Sequence, residues 1–369
     1  MIKYPRVKNG IISRTEGNIF SYHGWGSVCK ATNGELLAVC SAFRMKHVCP
    51  FGKTALYRST DNGLTWSAPT IINDTLLDDR DAGIISLGGD RLLVTWFIHP
   101  PMVYTRKYRE SILNDCNELE KPITEAHLNY WEAKYTDPTL GGSFIRISED
   151  LGRTWGETIR IPISAPHGPT MRSDGSLIYF GKELYSFGAE KEHALAVYVS
   201  DNEGKRWKRL SYIENPEGFK GCHVHEPHII ELKDGTHLGA IRVEGDVVPY
   251  RFTVYTTKSK DGGKTWSPLK PTEIEGSPPH LFQHSSGAVL LSVGHRSKPY
   301  GQKVYVSYDG GDSFEDVYII RDDAPDDDLG YPATIELDDG SLITVYYQRY
   351  HSDIKTSFLY SKWRLDDIR

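Results

Sequence analysis

Cysteine is scarce in this sequence, and no zinc-type spacing joins the few that occur. The 369 residues contain five, Cys29, Cys40, Cys49, Cys116 and Cys222. An odd number without a paired pattern speaks against a disulfide framework and for free, buried thiols in a reducing compartment. Positive charge is not in excess. Lys and Arg number 43 against 49 Asp and Glu, a net charge of −6, so no basic field marks a nucleic-acid partner. Long apolar runs are missing: none approaches the ~18 residues of a membrane span. Met1-Ile2-Lys3-Tyr4-Pro5 lacks the apolar stretch of a signal peptide. These absences lead us to expect a cytoplasmic protein with neither a nucleic-acid nor a membrane partner. Aromatic residues, by contrast, are plentiful, with 22 Tyr and 8 Trp. They suit short strands and a carbohydrate-facing surface alike.

One stretch keeps returning. Ser259-Lys260-Asp261-Gly262-Gly263-Lys264-Thr265-Trp266 has full counterparts at Ser59 to Trp66 and Ser148 to Trp155. A conservative variant runs from Ser307 to Phe314, and a degraded one from Ser200 to Trp207. The chemistry is that of a hairpin turn: Asp caps backbone N–H groups, Gly supplies a positive φ, and Trp packs beneath. Internal repetition of this kind is decided before any other feature.

A second unit alternates with these turns, an apolar strand, a Gly-containing turn and another apolar strand. It occurs six times, over 24–44, 82–99, 167–182, 225–242, 280–296 and 331–347. Six strand pairs, five of them followed by an Asp-turn hairpin, predict six four-stranded sheets. Arranging such sheets radially around a channel protects their edges. We therefore expect an all-β fold, a six-bladed β-propeller forming a single domain over 1–369. The last blade would be completed by pairing Ser357 to Tyr360 with the segment around Ile11 to Tyr22.

The interval from Ser59 to Ser148 is 89 residues, against 48 to 59 between the later turns. The excess falls in blade two at about 104–135. Arg109 to Cys116 and Thr124 to Tyr135 have helix-forming composition, with Leu128, Trp131 and Tyr135 along one face. This insertion is a lid over the site, a contact that would make an oligomer, or packing.

In a propeller the residues that begin the innermost strands meet at one mouth. Here they are Trp25, the cluster Asp79-Arg80-Asp81, His167, Glu226, His280 and Tyr331. The same strand pairs end in Arg44, His99, Arg242 and Arg296. Folding does not require such a set. His223, His225 and His228 raise a metal site. On a regular strand, however, His228 would point away from the other two, so we expect no metal.

The Asp-turns resemble the Asp-boxes (BNR repeats) of the sialidase superfamily, and the likeness spans nearly the whole chain. Sialidases carry a glutamate at the start of the fourth blade's inner strand and an arginine sixteen residues later, matched by Glu226 and Arg242. They carry a nucleophilic tyrosine at the start of the last blade, and Gly330-Tyr331-Pro332 is similar. Arg296 in Gly294-His295-Arg296 stands where a further family arginine lies. Three departures stand out. The first family arginine is absent from His23-Gly24-Trp25-Gly26-Ser27. Its supporting glutamate is replaced by Tyr347. The acid aspartate's place falls at His47.

The resemblance implies a retaining, exo-acting glycoside hydrolase that works on a terminal, acidic sugar of a glycan without cofactors. Tyr331 would be the nucleophile and Glu226 its base, because a phenol is a poor nucleophile at neutral pH. His47, Asp79 or Asp81 would be the acid. Arg242 and Arg296 would bind the sugar carboxylate, with Arg44, Arg80, His167, Trp25 and Tyr347 as further contacts. Two alternatives stay open, a uronic-acid polysaccharide lyase and a non-catalytic carbohydrate-binding propeller.

Overall fold

A computed structural model describes residues 1–185 and 194–368. In it the repeated stretch is a loop held by its own side chains. Ser59 Oγ donates to Asp61 Oδ1 at 2.7 Å and accepts the Gly63 N–H at 2.9 Å. Asp61 then accepts the N–H groups of Leu64 and Thr65 and the Thr65 hydroxyl. Asp150, Asp261 and Asp309 repeat the pattern. The degraded copy works with an amide: Asn202 Oδ1 accepts from Ser200 Oγ and from the Arg206 N–H. The glycine is required twice over. Gly63 has a φ of 81°, and a Cβ there would lie 2.4 Å from Ile343 Cδ1 in the neighbouring blade.

The turns join six sheets that run from channel to rim, five of four strands and one of five. Their inner strands are Tyr22–Lys30, Arg80–Gly88, Thr170–Met171, Val224–Glu231, Ser277–Gln283 and Gly330–Glu336. Each sheet is covered on both faces, so its second strand reads as a nearly unbroken apolar run. In Leu36–Arg44, Leu36, Ala38, Cys40 and Ala42 pack towards blade six. Leu37 and Val39 pack towards blade two.

The last blade takes its outer strand from Lys8–Ser13, antiparallel to Thr356–Trp363 with Ile11 opposite Leu359. The segment expected there ends sooner than the sequence implies, because Tyr22 opens the inner strand of blade one. A second N-terminal piece, Ile2–Lys3, runs parallel to Asp316–Arg321 and gives blade five a fifth strand. Cys29, Cys40 and Cys49 are buried free thiols, Cys116 is half-buried, and Cys222 is exposed, contrary to expectation.

The helices of the insertion span Arg109–Asp115 and Glu120–Lys134. The second begins earlier than composition implies because Asn117 Oδ1 accepts the N–H groups of Leu119 and Glu120. Leu128 and Trp131 are buried against blades one and two, and Trp131 Nε1 donates to Leu76 O at 2.9 Å.

Candidate active site

The site begins with a backbone irregularity. In five blades the chain adopts a left-handed φ, without glycine, within the first four residues of the inner strand or, at His167, three residues ahead of it. The residues are Trp25 (52°), Asp81 (52°), His167 (69°), Glu226 (46°) and Tyr331 (51°). Strand pairing slips around four of them, between Gly24 and Ser27, Arg80 and Gly83, His225 and His228, and Gly330 and Ala333. Each such conformation costs of order 1–3 kcal/mol and persists where the surroundings over-determine it. A bulge re-aims its side chain, and these five converge.

Tyr331 donates a short hydrogen bond to Glu226 Oε1, and Arg242 Nη1 lies 2.6 Å from Glu226 Oε2. Arg242 also donates from Nε to Glu244 at 2.8 Å. Burial works to raise the Glu226 carboxyl, but the Arg242 guanidinium, the Tyr331 hydroxyl and His225 together outweigh it and hold the group at about 2. Burial, reinforced by the Glu226 charge, pushes the Tyr331 phenol well up. The pair therefore rests as a carboxylate and a neutral phenol.

Behind it stands a wall. Two guanidiniums pack on the Trp25 ring, Arg44 at 4.5 Å and Arg80 at 4.2 Å. Asp78 binds both guanidiniums and accepts the Tyr104 hydroxyl at 2.5 Å. The sequence places Arg44, Trp25 and Tyr347 among the substrate contacts. In the structure Arg44 and Tyr347 are 0% exposed and Trp25 1%, so they form the wall instead. Among the described residues Arg80 Nε has no partner, nor have Arg296 Nε and Nη2. Arg242 and Arg296 lie over the Phe252 ring at 4.6 and 5.4 Å.

The three acid candidates separate. Asp79 accepts from Thr75 N at 3.1 Å and Thr75 Oγ1 at 3.2 Å, so its carboxyl is spent closing a loop. His47 Nδ1 is 2.9 Å from both Asp328 Oδ1 and Tyr22 Oη, and its ring meets Trp25 edge-on at 5.0 Å. Burial lowers its pKa, with Asp328 opposing. Asp81 is buried with Oδ1 unpaired. Burial first, and the charge of Glu226 besides, raise Asp81 to about 7 against the pull of Arg80. The charge of Asp81 also bears on the Tyr331 phenol.

His167, His228 and His280 cluster with ring centroids 4.5 to 5.7 Å apart. His228 Nδ1 accepts the Leu281 N–H and His280 Nδ1 the Thr334 N–H. Each neutral ring therefore carries its proton on Nε2 and offers a donor rather than a metal-binding lone pair. His223 lies in the turn Gly221–His223, off the strand, so it shares no strand face with His225.

Asp78, Tyr104, Tyr22, Asp328, Glu244 and Phe252 complete the site and carry no repeat signature. Only the position of Asp78, one residue ahead of the cluster at Asp79, marked it.

The BNR repeat-like domain family matches residues 124–344, and a BNR/Asp-box repeat matches residues 57–68. No curated protein sequence matches. Among solved structures, a Dyadobacter fermentans protein of unknown function is 20% identical, with 98% of this chain and 99% of that one aligned at a TM-score of 0.74. The NanB sialidase of Streptococcus pneumoniae is 15% identical over 98% of this chain and 71% of its own, at 0.70. An α-L-arabinofuranosidase of Fusarium graminearum is 14% identical over 99% of each chain, at 0.65. Likeness at these identities establishes the shared fold. With its family match covering more than half of its length, the chain belongs to the BNR repeat-like domain family, and its fold is the six-bladed, sialidase-like β-propeller.

Proposed function

We propose that this propeller is an exo-acting, retaining glycoside hydrolase for a terminal acidic sugar. The observation that carries the reading is the Tyr331–Glu226 hydrogen bond, with Arg242 on the far oxygen of the carboxylate. Tyr331 Oη attacks the anomeric carbon while its proton passes to Glu226. The glycosidic oxygen leaves with a proton from Asp81. Water then cleaves the glycosyl–tyrosine bond, giving one proton to Asp81 and keeping the other in the new anomeric hydroxyl, while Glu226 returns to the phenolate the proton it took from Tyr331. The unpaired donors of Arg296 and Arg80 suit the sugar carboxylate. The chemistry needs no cofactor.

A uronate lyase would draw on the same guanidiniums of Arg296 and Arg80, so the product, not the cation, separates that reading from hydrolysis. A binding-only propeller has no need of a phenol poised on a carboxylate. The deciding experiment is hydrolysis of fluorogenic sialoside, uronide and neutral furanoside and pyranoside panels, with the stereochemistry of the first-formed product read by NMR. Retention on an acidic sugar is expected. Release of an unsaturated uronide, or no turnover on any panel, defeats the reading.

A further inference from the structure

A cleft of about 720 Å³ opens beside the channel rather than over the Tyr331–Glu226 pair. Small-ligand sites are roughly 300–1,000 Å³. Its walls are the loop at 15–19, the turn at 45–47, the junction of the two inserted helices at 115–120 and the loop at 352–355. Its inner end is Tyr22, His47 and Asp328, joined to one another by hydrogen bonds of 2.9 Å. His47 packs on Trp25, whose ring is 6.3 Å from that of Tyr331. The cleft therefore meets the channel at the wall beside the nucleophile.

The walls are tied together. Glu120, its side chain 1% exposed, accepts Lys355 Nζ at 2.7 Å and pairs with Lys46 at 3.2 Å. Lys355 also donates to Ile19 O at 2.5 Å. These bonds link the insertion, the turn at Lys46, the last blade and the N-terminal loop around one space. Hydroxyl, amide and charged groups line it, and Ile354 stands at its rim 87% exposed. Such a mixture suits a sugar, which presents C–H faces and hydroxyls together. Charge narrows the choice. Five carboxylates line it, Glu16, Asp115, Glu120, Asp328 and Asp353, and they outnumber the cations paired with them, Arg14, Lys46 and Lys355, so a neutral sugar fits and an anionic one is repelled.

We propose that this cleft binds the neutral sugar residues on the leaving side of the cleaved bond, so that the natural substrate is the end of an oligosaccharide. The proposal rests on the glycosidase reading above.

The test measures affinity by calorimetry in Tyr331→Phe, which leaves ligands intact. The ligands are mono-, di- and trisaccharides ending in sialic acid, a uronic acid or a pentofuranose, with neutral or carboxylated inner sugars. A trisaccharide with neutral inner sugars should bind about tenfold more tightly than its terminal monosaccharide, a difference of ~1.4 kcal/mol. Adding Ser352→Trp, which fills the cleft, should abolish that gain, and adding Glu16→Lys should extend it to carboxylated inner sugars. Absence of any gain with length, or a gain that survives Ser352→Trp, overturns the proposal. Turnover by the unmodified chain is scored separately. A length-dependent gain without turnover defeats the hydrolase reading and leaves the cleft assigned. Turnover without such a gain does the reverse.

Discussion

The hydroxyl of Tyr331, in blade six, donates to Glu226, in blade four, and the second oxygen of that carboxylate lies 2.6 Å from Arg242 Nη1. Glu226 and Tyr331 are separated by 105 positions, and only ring closure brings them together. Removing either partner removes the reagent. Tyr331→Phe and Glu226→Gln should each lower kcat by about 10²–10⁴-fold, and the double variant should be little worse, because the two act as a unit. Steady-state kinetics on the substrate identified by the panels checks this. Unchanged kcat in both variants excludes these roles.

Proton donation should follow Asp81. Its carboxyl holds a proton to about 7, so kcat/KM should fall as pH rises past that value. Asp81→Asn should lose this alkaline limb. It should also slow substrates with poor leaving groups more than aryl glycosides, whose leaving group departs without a proton. A pH–rate profile that keeps the limb in Asp81→Asn assigns the acid elsewhere, with His47 the next to test.

Arg296 and Arg242 should differ in kind. Arg296 offers unpaired donors, so Arg296→Ala should raise KM roughly 10–100-fold, the scale of hydrogen bonds to a charged group, with kcat little changed. Arg242→Ala frees the Glu226 carboxyl to rise from about 2 and should alter kcat and its acid limb as well. Kinetics across pH on both variants separates the two effects.

Stability should depend on Asp79 with a definite sign. Its carboxyl is raised to about 7 by burial, against ~3.9 in an unfolded chain. Between these values the folded state binds more protons, so the contribution is full below ~4 and is lost as pH rises through about 7. Asp79→Asn removes that loss. The Tm of the variant should gain on the parent between about pH 4 and 7, at roughly 1–2 °C per kcal/mol for a chain of this length, and the difference should be constant below about pH 4. Parallel thermal scans decide it.

Asp78 neutralises two buried guanidiniums that pack on one indole. Asp78→Asn should destabilise the fold by about 3–5 kcal/mol, the cost of stranding a buried charge. Urea unfolding measures it, and a loss under ~1 kcal/mol would mean that solvent reaches the arginines.

Much of this was legible in the sequence. The Asp-turns repeat, and each encodes its own hydrogen bonds locally, so even the degraded copy at Asn202 could be placed. Glu226, Arg242 and Tyr331 were found because they occupy matching positions of the repeat. The choice among Asp78, Asp79 and Asp81 was not legible. Strand alternation would put Asp79 and Asp81 on one face, but the left-handed φ at Asp81 breaks that alternation. Sequence alone puts Arg44, Trp25 and Tyr347 among the substrate contacts because it gives position along a strand, whereas depth depends on the neighbours. Tyr104, Asp328 and Tyr22 reach the site through contacts with partners far off in the chain, for which no local signal exists. The cleft is of the same kind, formed by four segments that share no motif.

The kink that opens five of the six blades presents an indole, two carboxylates, an imidazole and a phenol on a common scaffold. Holding a reagent and choosing it are thus separate tasks in this ring. Exchanging one side chain at any of these five stations rewrites the chemistry at the mouth without disturbing the strand that carries it, so a new reaction lies single-residue edits away and requires no new architecture.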